Sequence, residues 1–110
     1  IIIVDDEWLI RSELKTMLSQ YPNINVVGEA ATIEEAIHLI DKFKPDVLFL
    51  DIQLSDGSGF DLLNQVEPNF KVVFVSAYDQ YREEARKFKA EAYLMKPISK
   101  DWLAKVINKL

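Results

Sequence analysis

Val47–Asp51 reads VLFLD, four apolar residues that end directly on an aspartate. Similar apolar runs lie at 1–4 (IIIV), 72–75 (VVFV) and 93–95 (YLM), and a half-polar run, INVV, lies at 24–27. Continuous apolar runs of this length are typical of strands that are buried on both faces of a parallel sheet. The five runs therefore predict five strands, with VLFLD in the interior of the sheet.

Segments with helical spacing of apolar residues separate the five runs. Their apolar faces are formed by Ile10, Leu14, Met17, Leu18 and Tyr21; by Ile33, Ala36, Ile37, Ile40 and Phe43; by Phe60, Leu63 and Val66; by Tyr81, Ala85 and Phe88; and by Leu103, Val106, Ile107 and Leu110. Alternating strands and helices predict right-handed crossovers and a parallel sheet. We place the half-polar second run and the short fifth run at the edges, which gives the strand order 2-1-3-4-5. The predicted fold is an α/β, flavodoxin-like three-layer sandwich with a five-stranded parallel sheet and five helices.

The composition indicates one soluble domain over residues 1–110. Hydrophobic residues make up 49% of the chain, which is enough for a core at this length. The net charge of −5 argues against direct binding of nucleic acid. The sequence has no cysteine, and its apolar runs fall well short of the ~20 residues that a membrane span needs. We therefore expect a cytoplasmic protein without membrane contact. The chain starts on Ile1, inside an apolar run, and we expect it to be an excerpt of a longer protein.

Polar residues follow four of the five predicted strands. Asp5 and Asp6 follow the first, Asp51 the third, Ser76 the fourth and Lys96 the fifth. Each of them alone could be a helix cap or an ordinary loop residue. Ligands of open parallel sheets bind at the carboxyl ends of the strands, where the strand order reverses, so we expect the whole set to meet at one edge of the sheet.

This set of residues predicts a magnesium site with phosphoryl chemistry. Two carboxylates at 4 Å repel each other by about 4 kcal/mol at an effective dielectric constant of 20, so three together require a cation. Ligands that are all oxygen favour Mg²⁺ over zinc, and Mg²⁺ keeps open positions for water and phosphate. One carboxylate could then act as a nucleophile, while Lys96 and Ser76 hold the transferred oxygens. Charge alone does not decide which aspartate attacks; Asp51 ends the central strand and faces the pair Asp5 and Asp6.

The segments IIIVDDE, VLFLDIQLSDGSGFDLL, VVFVSAYD and AYLMKP resemble the signature segments of bacterial response-regulator receiver (CheY-like) domains. The resemblance covers essentially the whole chain. It implies that Asp51 is the phosphoacceptor and that a sensor histidine kinase is the phosphodonor. It also implies that Asp5, Asp6 and Asp51 bind Mg²⁺ through their side chains, directly or through water, together with the backbone carbonyl of Gln53.

The same resemblance assigns roles on the other strands. Ser76 would be the hydroxyl that moves toward the phosphoryl group, and Tyr93 the aromatic residue whose rotamer follows that movement. Lys96 would bind a phosphoryl oxygen, and the Lys96–Pro97 peptide bond would be cis.

More narrowly, the segments ELKTMLSQYPNINVVGEA, FLDIQLSDGSGFDLL and VFVSAYDQY are similar to the LytTR (LytR/AgrA-type) subgroup. Its members carry a DNA-binding domain after the receiver. The resemblance therefore implies an output domain after residue 110, through which alone the protein would bind DNA, and transcriptional control as the output. The resemblance also implies a possible homodimer through the helix 4–strand 5–helix 5 face, where Tyr81, Phe88 and Trp102 flank the last two helices. Packing of these helices on the sheet explains Tyr81 and Phe88 equally well. Trp8 and Trp102 are expected to be packing residues.

Other functions remain open from the sequence. The chain could be a stand-alone receiver that acts through protein–protein contacts. A haloacid-dehalogenase-like phosphohydrolase would need a second aspartate at position 53, where this chain has Gln53. A nucleotide or flavin module would need a glycine-rich loop after the first strand, where the chain has Asp5-Asp6-Glu7. We therefore expect a domain that catalyses only its own phosphorylation and dephosphorylation, and not an enzyme that turns over a substrate.

Overall fold

Five parallel strands form the central sheet of this computed structural model, which describes residues 1–67 and 69–110. The strands are β1 (Ile2–Val4), β2 (Gly28–Ala30), β3 (Val47–Asp51), β4 (Lys71–Ser76) and β5 (Ala92–Met95). Their order across the sheet is β2-β1-β3-β4-β5, and every neighbouring pair is parallel. The predicted order 2-1-3-4-5 is thus confirmed. A separate two-stranded hairpin pairs Gln53–Leu54 with Gly57–Ser58 directly after β3, and we call it the β3 hairpin.

Helices cover both faces of the sheet. They are α1 (Trp8–Leu18), α2 (Ile33–Phe43), α3 (Gly59–Leu63), α4 (Arg82–Lys87) and α5 (Lys100–Lys109). Helices α2, α3 and α4 pack on one face, and α1 and α5 pack on the other. This arrangement confirms the three-layer sandwich. Among the described residues, no helix is both long and apolar enough to cross a membrane.

Strand β3 shows why a continuous apolar run is required in the middle of the sheet. Its side chains alternate between the two faces, so Leu48 and Leu50 join the core under α2, α3 and α4, while Val47 and Phe49 join the core under α1 and α5. Both sets are buried because helices cover both faces. Removing a buried side chain such as that of Phe49 would cost about 3–5 kcal/mol.

The second strand lies further along the chain than the run INVV predicts. Residues 24–27 approach the sheet, and the Val27 N–H donates to the carbonyl of Ile1 at 2.9 Å, but the ladder itself begins at Gly28. Register with the three residues of β1 sets this position, and β1 offers its hydrogen-bonding groups to Gly28–Ala30. The prediction of a strand at 24–27 is therefore wrong, whereas its placement at the edge of the sheet is confirmed.

Trp8 and Trp102 do not serve the core. Their exposed fractions are 66% and 60%, so the prediction that they are packing residues is wrong. Each lies in the first turn of its helix, and the buried positions are Leu14 and Leu18 in α1 and Leu103 and Val106 in α5. Trp102 instead lies under the ammonium of Lys105, which is 4.5 Å from the centre of its ring.

Candidate functional site

Acidic side chains meet where β1 and β3 end. Asp5 follows β1, Asp51 is the last residue of β3, and both are buried, whereas Asp6 is exposed. Each of the three offers one carboxylate oxygen, and these oxygens lie within 4.8 Å of one another. Parallel strands bring their carboxyl ends to a common edge, which is why residues 46 positions apart in the sequence form one cluster.

Lys96 brings a positive charge to this cluster. Its ammonium nitrogen lies 2.9 Å from Oδ2 of Asp5 and 3.2 Å from Oδ2 of Asp51, and only 10% of its side chain is exposed. Glu7 Oε1 lies at the rim, 3.5 Å from the same nitrogen. The backbone N–H of Lys96 donates to the Ser76 carbonyl at 2.8 Å, and the following peptide bond, to Pro97, is cis.

The surroundings of Asp51 favour its protonated form. Burial raises the pKa of Asp51 from 3.8 to about 6, and the negative charge of Asp5 adds to this rise. The charge of Lys96 and the hydrogen bonds from Lys96 and from the Gln53 N–H lower the pKa and so limit the rise. Asp51 is therefore a carboxylate that is ionised at neutral pH but costly to keep ionised, and this cost falls when a cation approaches.

The pKa of Lys96 is raised as well, but for a lysine a raised pKa favours the charged form. Burial alone lowers the pKa of Lys96, but its hydrogen bond to Asp5 and the charges of Asp51 and Asp5 raise it, and the net result is a pKa above the ordinary 10.5. The ammonium form is therefore the form that this site holds.

Arg11 supports Asp5 from the first helix, and sequence reasoning missed it. Its guanidinium donates to the backbone carbonyl of Asp5 at 2.6 Å and forms an ion pair with Glu29 at 3.2 Å. The side chain of Asp5 is fixed as well, because its Oδ1 accepts the Glu7 N–H at 2.9 Å. No sequence signal pointed to Arg11, because its acceptor at Asp5 is a backbone carbonyl, which every residue has.

The β3 hairpin orients the backbone of Gln53. The Gly59 N–H donates to the Ile52 carbonyl at 2.7 Å, and Gln53 is opposite Ser58 in the ladder. Ile52 and Gly59 are thus hydrogen-bonded to each other across the hairpin. Hydrogen-bonded and non-hydrogen-bonded pairs alternate in an antiparallel ladder, so the next pair, Gln53 with Ser58, is not hydrogen-bonded. The backbone groups of Gln53 therefore point away from Ser58. Its N–H points to Oδ1 of Asp51, at 3.4 Å, and its carbonyl shares that side of the strand.

Ser76 and Tyr93 are connected through the backbone of Tyr78. The buried Ser76 Oγ accepts the Tyr78 N–H at 3.0 Å, and the Tyr93 hydroxyl donates to the Tyr78 carbonyl. The guanidinium of Arg82 lies 4.8 Å from the centre of the half-buried Tyr93 ring. Register places Asp51 opposite Val75, so Ser76 lies one residue beyond the partner of Asp51.

The sequence profile of the response regulator receiver domain matches residues 1–108. The chain belongs to this family. A receiver domain of a response regulator is a component of two-component signalling, and the resemblance drawn from the sequence is confirmed.

Individual relatives agree with this membership. The receiver domain is 43% identical over 112 residues to the sensory transduction protein LytT of Enterococcus faecalis, covering 99% of this chain and 46% of LytT. It is 40% identical over 112 residues to the transcriptional regulatory protein BtsR of Salmonella typhi, covering 100% of this chain and 47% of BtsR. The chain thus spans about half the length of the curated relatives it matches. The likeness to LytT confirms the predicted resemblance to the LytTR subgroup.

A solved structure shows the same fold. The receiver domain superposes on the REC domain of AraT, a response regulator from Geobacillus stearothermophilus, with a TM-score of 0.88. The two are 31% identical, and the match covers 98% of this chain and 88% of that one.

The acidic cluster of this receiver domain fits a hard divalent cation. The cluster offers three carboxylates, and the Gln53 carbonyl lies on the same side of the strand as the Asp51 carboxylate. All of these are oxygen ligands, which Mg²⁺ prefers, and the exposed Asp6 leaves one side of the cluster open to solvent. Lys96 shares the carboxylates and so reduces their repulsion before any ion binds.

Proposed function

We propose that this receiver domain accepts a phosphoryl group on Asp51 in a reaction that requires Mg²⁺. The observation that carries the proposal is the ion pair between Lys96 and Asp51 inside a cluster of three carboxylates. A buried aspartate with a pKa of about 6, beside a fixed cation and a set of oxygen ligands, is what an acyl-phosphate site needs. Asp5, Asp6, Asp51 and the Gln53 carbonyl would hold the ion.

The residues of the chain account for most of the chemistry. An ionised carboxylate oxygen of Asp51 attacks phosphorus, the bond from phosphorus to the donor breaks, and an acyl phosphate forms on Asp51. Bound Mg²⁺ would neutralise charge on the phosphoryl oxygens during this transfer. Lys96, which already lies 3.2 Å from Asp51, is within reach of an oxygen of a phosphoryl group on that residue and would bind it.

We further propose that Ser76 and Tyr93 report the phosphorylation. When Ser76 turns its hydroxyl toward the phosphoryl group, it gives up the N–H of Tyr78. The Tyr93 hydroxyl is bonded to the carbonyl of the same Tyr78, so a shift of this backbone changes the position that Tyr93 can hold. The contacts support a two-part switch in which Tyr78 is the connecting residue.

Membership of the family supports proposals for the phosphodonor and for the output. In the cytoplasm, where we place this protein, a sensor histidine kinase would supply the phosphoryl group, and a DNA-binding domain outside these 110 residues would carry transcriptional control. A homodimer through the α4–β5–α5 face is supported by the exposed Trp102 on α5. Tyr81 and Phe88 contribute less to such a face, because both rings pack against Phe60, at 6.4 Å and 5.2 Å between centres.

We propose that the domain is not a turnover enzyme. A phosphohydrolase with an aspartate nucleophile needs an acid two residues further on, and this chain has the amide of Gln53 there. That amide donates to the hydroxyl of Tyr81 at 3.4 Å, so it is directed toward α4. Slow loss of the phosphoryl group to water is the expected reaction.

A mass measurement tests the proposal. The domain is incubated with acetyl phosphate, with and without Mg²⁺, and the intact mass is recorded for wild type and for Asp51→Asn. Wild type should gain one phosphoryl group only when Mg²⁺ is present, and Asp51→Asn should gain none. Equal gain by both proteins, or gain by wild type in the presence of a chelator, would refute the proposed site.

A further inference from the structure

Asp56, at the tip of the β3 hairpin, holds the first turn of helix α2. Its carboxylate accepts the Ile33 N–H at 2.8 Å and 3.1 Å and the Glu34 N–H at 3.4 Å, across 23 and 22 residues of sequence. The N-cap residue of the same helix, Thr32, accepts a different group, the Glu35 N–H, at 3.1 Å. Asp56 and Thr32 therefore satisfy separate donors of one helix end, and neither replaces the other.

The hairpin also packs closely against α2. Gly57 has a φ of 148°, and a Cβ atom at this position would lie 2.8 Å from Cδ1 of Ile33. Asp56 and Gly57 thus meet the same residue of α2, one through hydrogen bonds to its backbone and the other through contact with its side chain. These two contacts fix the tip of the hairpin against the first turn of α2.

The other end of the hairpin is fixed to the phosphoacceptor strand. The Gly59 N–H donates to the carbonyl of Ile52 at 2.7 Å. A Cβ atom at Gly59 would lie 2.5 Å from the backbone oxygen of Asp51, so the chain passes this strand as closely as glycine allows. A displacement of the hairpin is therefore transmitted to the backbone around Asp51.

The hairpin is too small to hold its shape alone. Its ladder has two residue pairs, Gln53 with Ser58 and Leu54 with Gly57. A two-stranded hairpin of this size is at best marginally stable in water, so tertiary contacts must fix it. The hydrogen bonds of Asp56 to α2 are such contacts, and the residue that they hold in place through the ladder is Gln53.

We propose that Asp56 is a positioning residue for cation binding at Asp51: by fixing the β3 hairpin to the first turn of α2, it aims the Gln53 carbonyl at the acidic cluster. The inference rests on the proposed function, in which the Gln53 carbonyl is a ligand of Mg²⁺. It adds a residue that touches neither the ion nor the phosphoryl group.

Titration with Mg²⁺ alone, followed by calorimetry, tests the role of Asp56. Asp56→Ala should weaken Mg²⁺ binding by about tenfold, the lower end of the loss caused by removing a residue that hydrogen-bonds a metal ligand directly, because Asp56 acts on Gln53 through the hairpin. Asp56→Asn should restore most of the affinity, because an amide oxygen can accept the same N–H groups. Asp56→Glu, which keeps the charge but displaces the carboxylate, should bind more weakly than wild type and provides a second folded variant should Asp56→Ala not fold.

Thr32→Ala is the matched control. It removes a cap from the same helix end and lowers the stability of the protein, but it leaves the hairpin contacts intact, so its Mg²⁺ affinity should stay within roughly twofold of wild type. Equal weakening by Thr32→Ala and Asp56→Ala would overturn the inference, because the effect would then come from α2 stability. Wild-type affinity in Asp56→Ala would overturn it as well and leave the proposed function standing. Absence of Mg²⁺ binding in wild type would overturn both.

Discussion

Lys96, which follows β5, forms a 3.2 Å ion pair with Asp51, the last residue of β3, although strand β4 lies between their strands. The long side chain of lysine spans this gap and reaches Asp5 as well, at 2.9 Å. One cation therefore balances carboxylates from two adjacent strands and leaves the cluster short of charge neutrality. This deficit is the physical basis for the Mg²⁺ ion that we propose, and it makes Lys96 a direct target for substitution.

Replacement of Lys96 by methionine should slow phosphorylation by about 10²-fold, the usual cost of removing one donor that stabilises charge in a transition state. Methionine keeps most of the buried volume and removes the charge. Labelling with acetyl phosphate, followed by intact mass over time, measures the rate. Lys87→Met, at an exposed position of α4, is the control and should label at the wild-type rate. A rate near wild type in Lys96→Met would exclude a catalytic part for this ammonium.

Asp51→Asn should stabilise the metal-free protein at neutral pH. The pKa of Asp51 is 3.8 in the unfolded chain and about 6 in the fold, so the folded state retains a proton that the unfolded state has lost between these values. Stability therefore falls as pH rises from about 4 to about 6, and the whole loss is present at pH 7. This loss in the free energy of unfolding is on the order of 2–3 kcal/mol.

Urea denaturation in the presence of a chelator measures this difference. At about pH 7 the asparagine variant should be the more stable protein, and the gap should shrink toward zero as the pH falls below about 4. Addition of Mg²⁺ should stabilise wild type and narrow the gap at neutral pH. If the difference in stability between the two proteins does not change with pH, burying the ionised form of Asp51 has no free-energy cost, and the prediction is wrong.

The fold and most of the site could be predicted because they depend on patterns within short segments. Apolar runs locate β1, β3 and β4, and a polar residue at the end of each run is brought to a common edge by the parallel topology alone. The second strand escaped this reasoning, since register with β1 and not hydropathy determines that it starts at Gly28. Its polar character still placed it correctly at the edge.

The supporting residues could not be predicted in the same way. Asp56 holds a helix that starts 23 residues earlier, and Arg11 donates to a backbone carbonyl, an acceptor that every residue has. Neither contact leaves a pattern in the sequence. The exposure of Trp8 was not predicted because large aromatic residues are usually buried. The helical spacing does place Trp8 outside the face formed by Leu14 and Leu18, and this position turns it outward.

Gly59→Ala should destabilise the domain by about 1–3 kcal/mol, the usual cost of forcing a methyl group into a packed site. The added Cβ would lie 2.5 Å from the backbone oxygen of Asp51, and backbone cannot move aside as a flexible side chain can. Phosphorylation should also slow, because the strand that carries Asp51 must shift.

Gly28→Ala is the control for this substitution. Its Cβ would lie 3.2 Å from Cδ1 of Leu39, a side chain that can rotate away, so the change in stability should stay within about 1 kcal/mol. Chemical denaturation of both variants gives the comparison. Equal stability of the two variants would show that the close approach of Gly59 to Asp51 is not required.

Lys44→Gly should stabilise the domain by about 0.5–1 kcal/mol without changing its phosphorylation. Lys44 ends α2 in the left-handed conformation, with φ 46° and ψ 64°, which glycine adopts without strain. The nearby Lys42→Gly is the opposite case, since it places glycine inside the helix and should destabilise by about 1 kcal/mol. Thermal unfolding should rank the three proteins Lys44→Gly, wild type, Lys42→Gly; any other order would contradict this assignment of strain.

The site of modification tests the central claim most directly. The domain is phosphorylated with acetyl phosphate and Mg²⁺, reduced with borohydride, which converts an aspartyl phosphate to homoserine, and digested for tandem mass spectrometry. Homoserine should appear at position 51 and not at position 5 or 6. Homoserine at either of those positions, or its absence from a protein that has gained phosphoryl mass, would contradict Asp51 as the residue that receives the phosphoryl group.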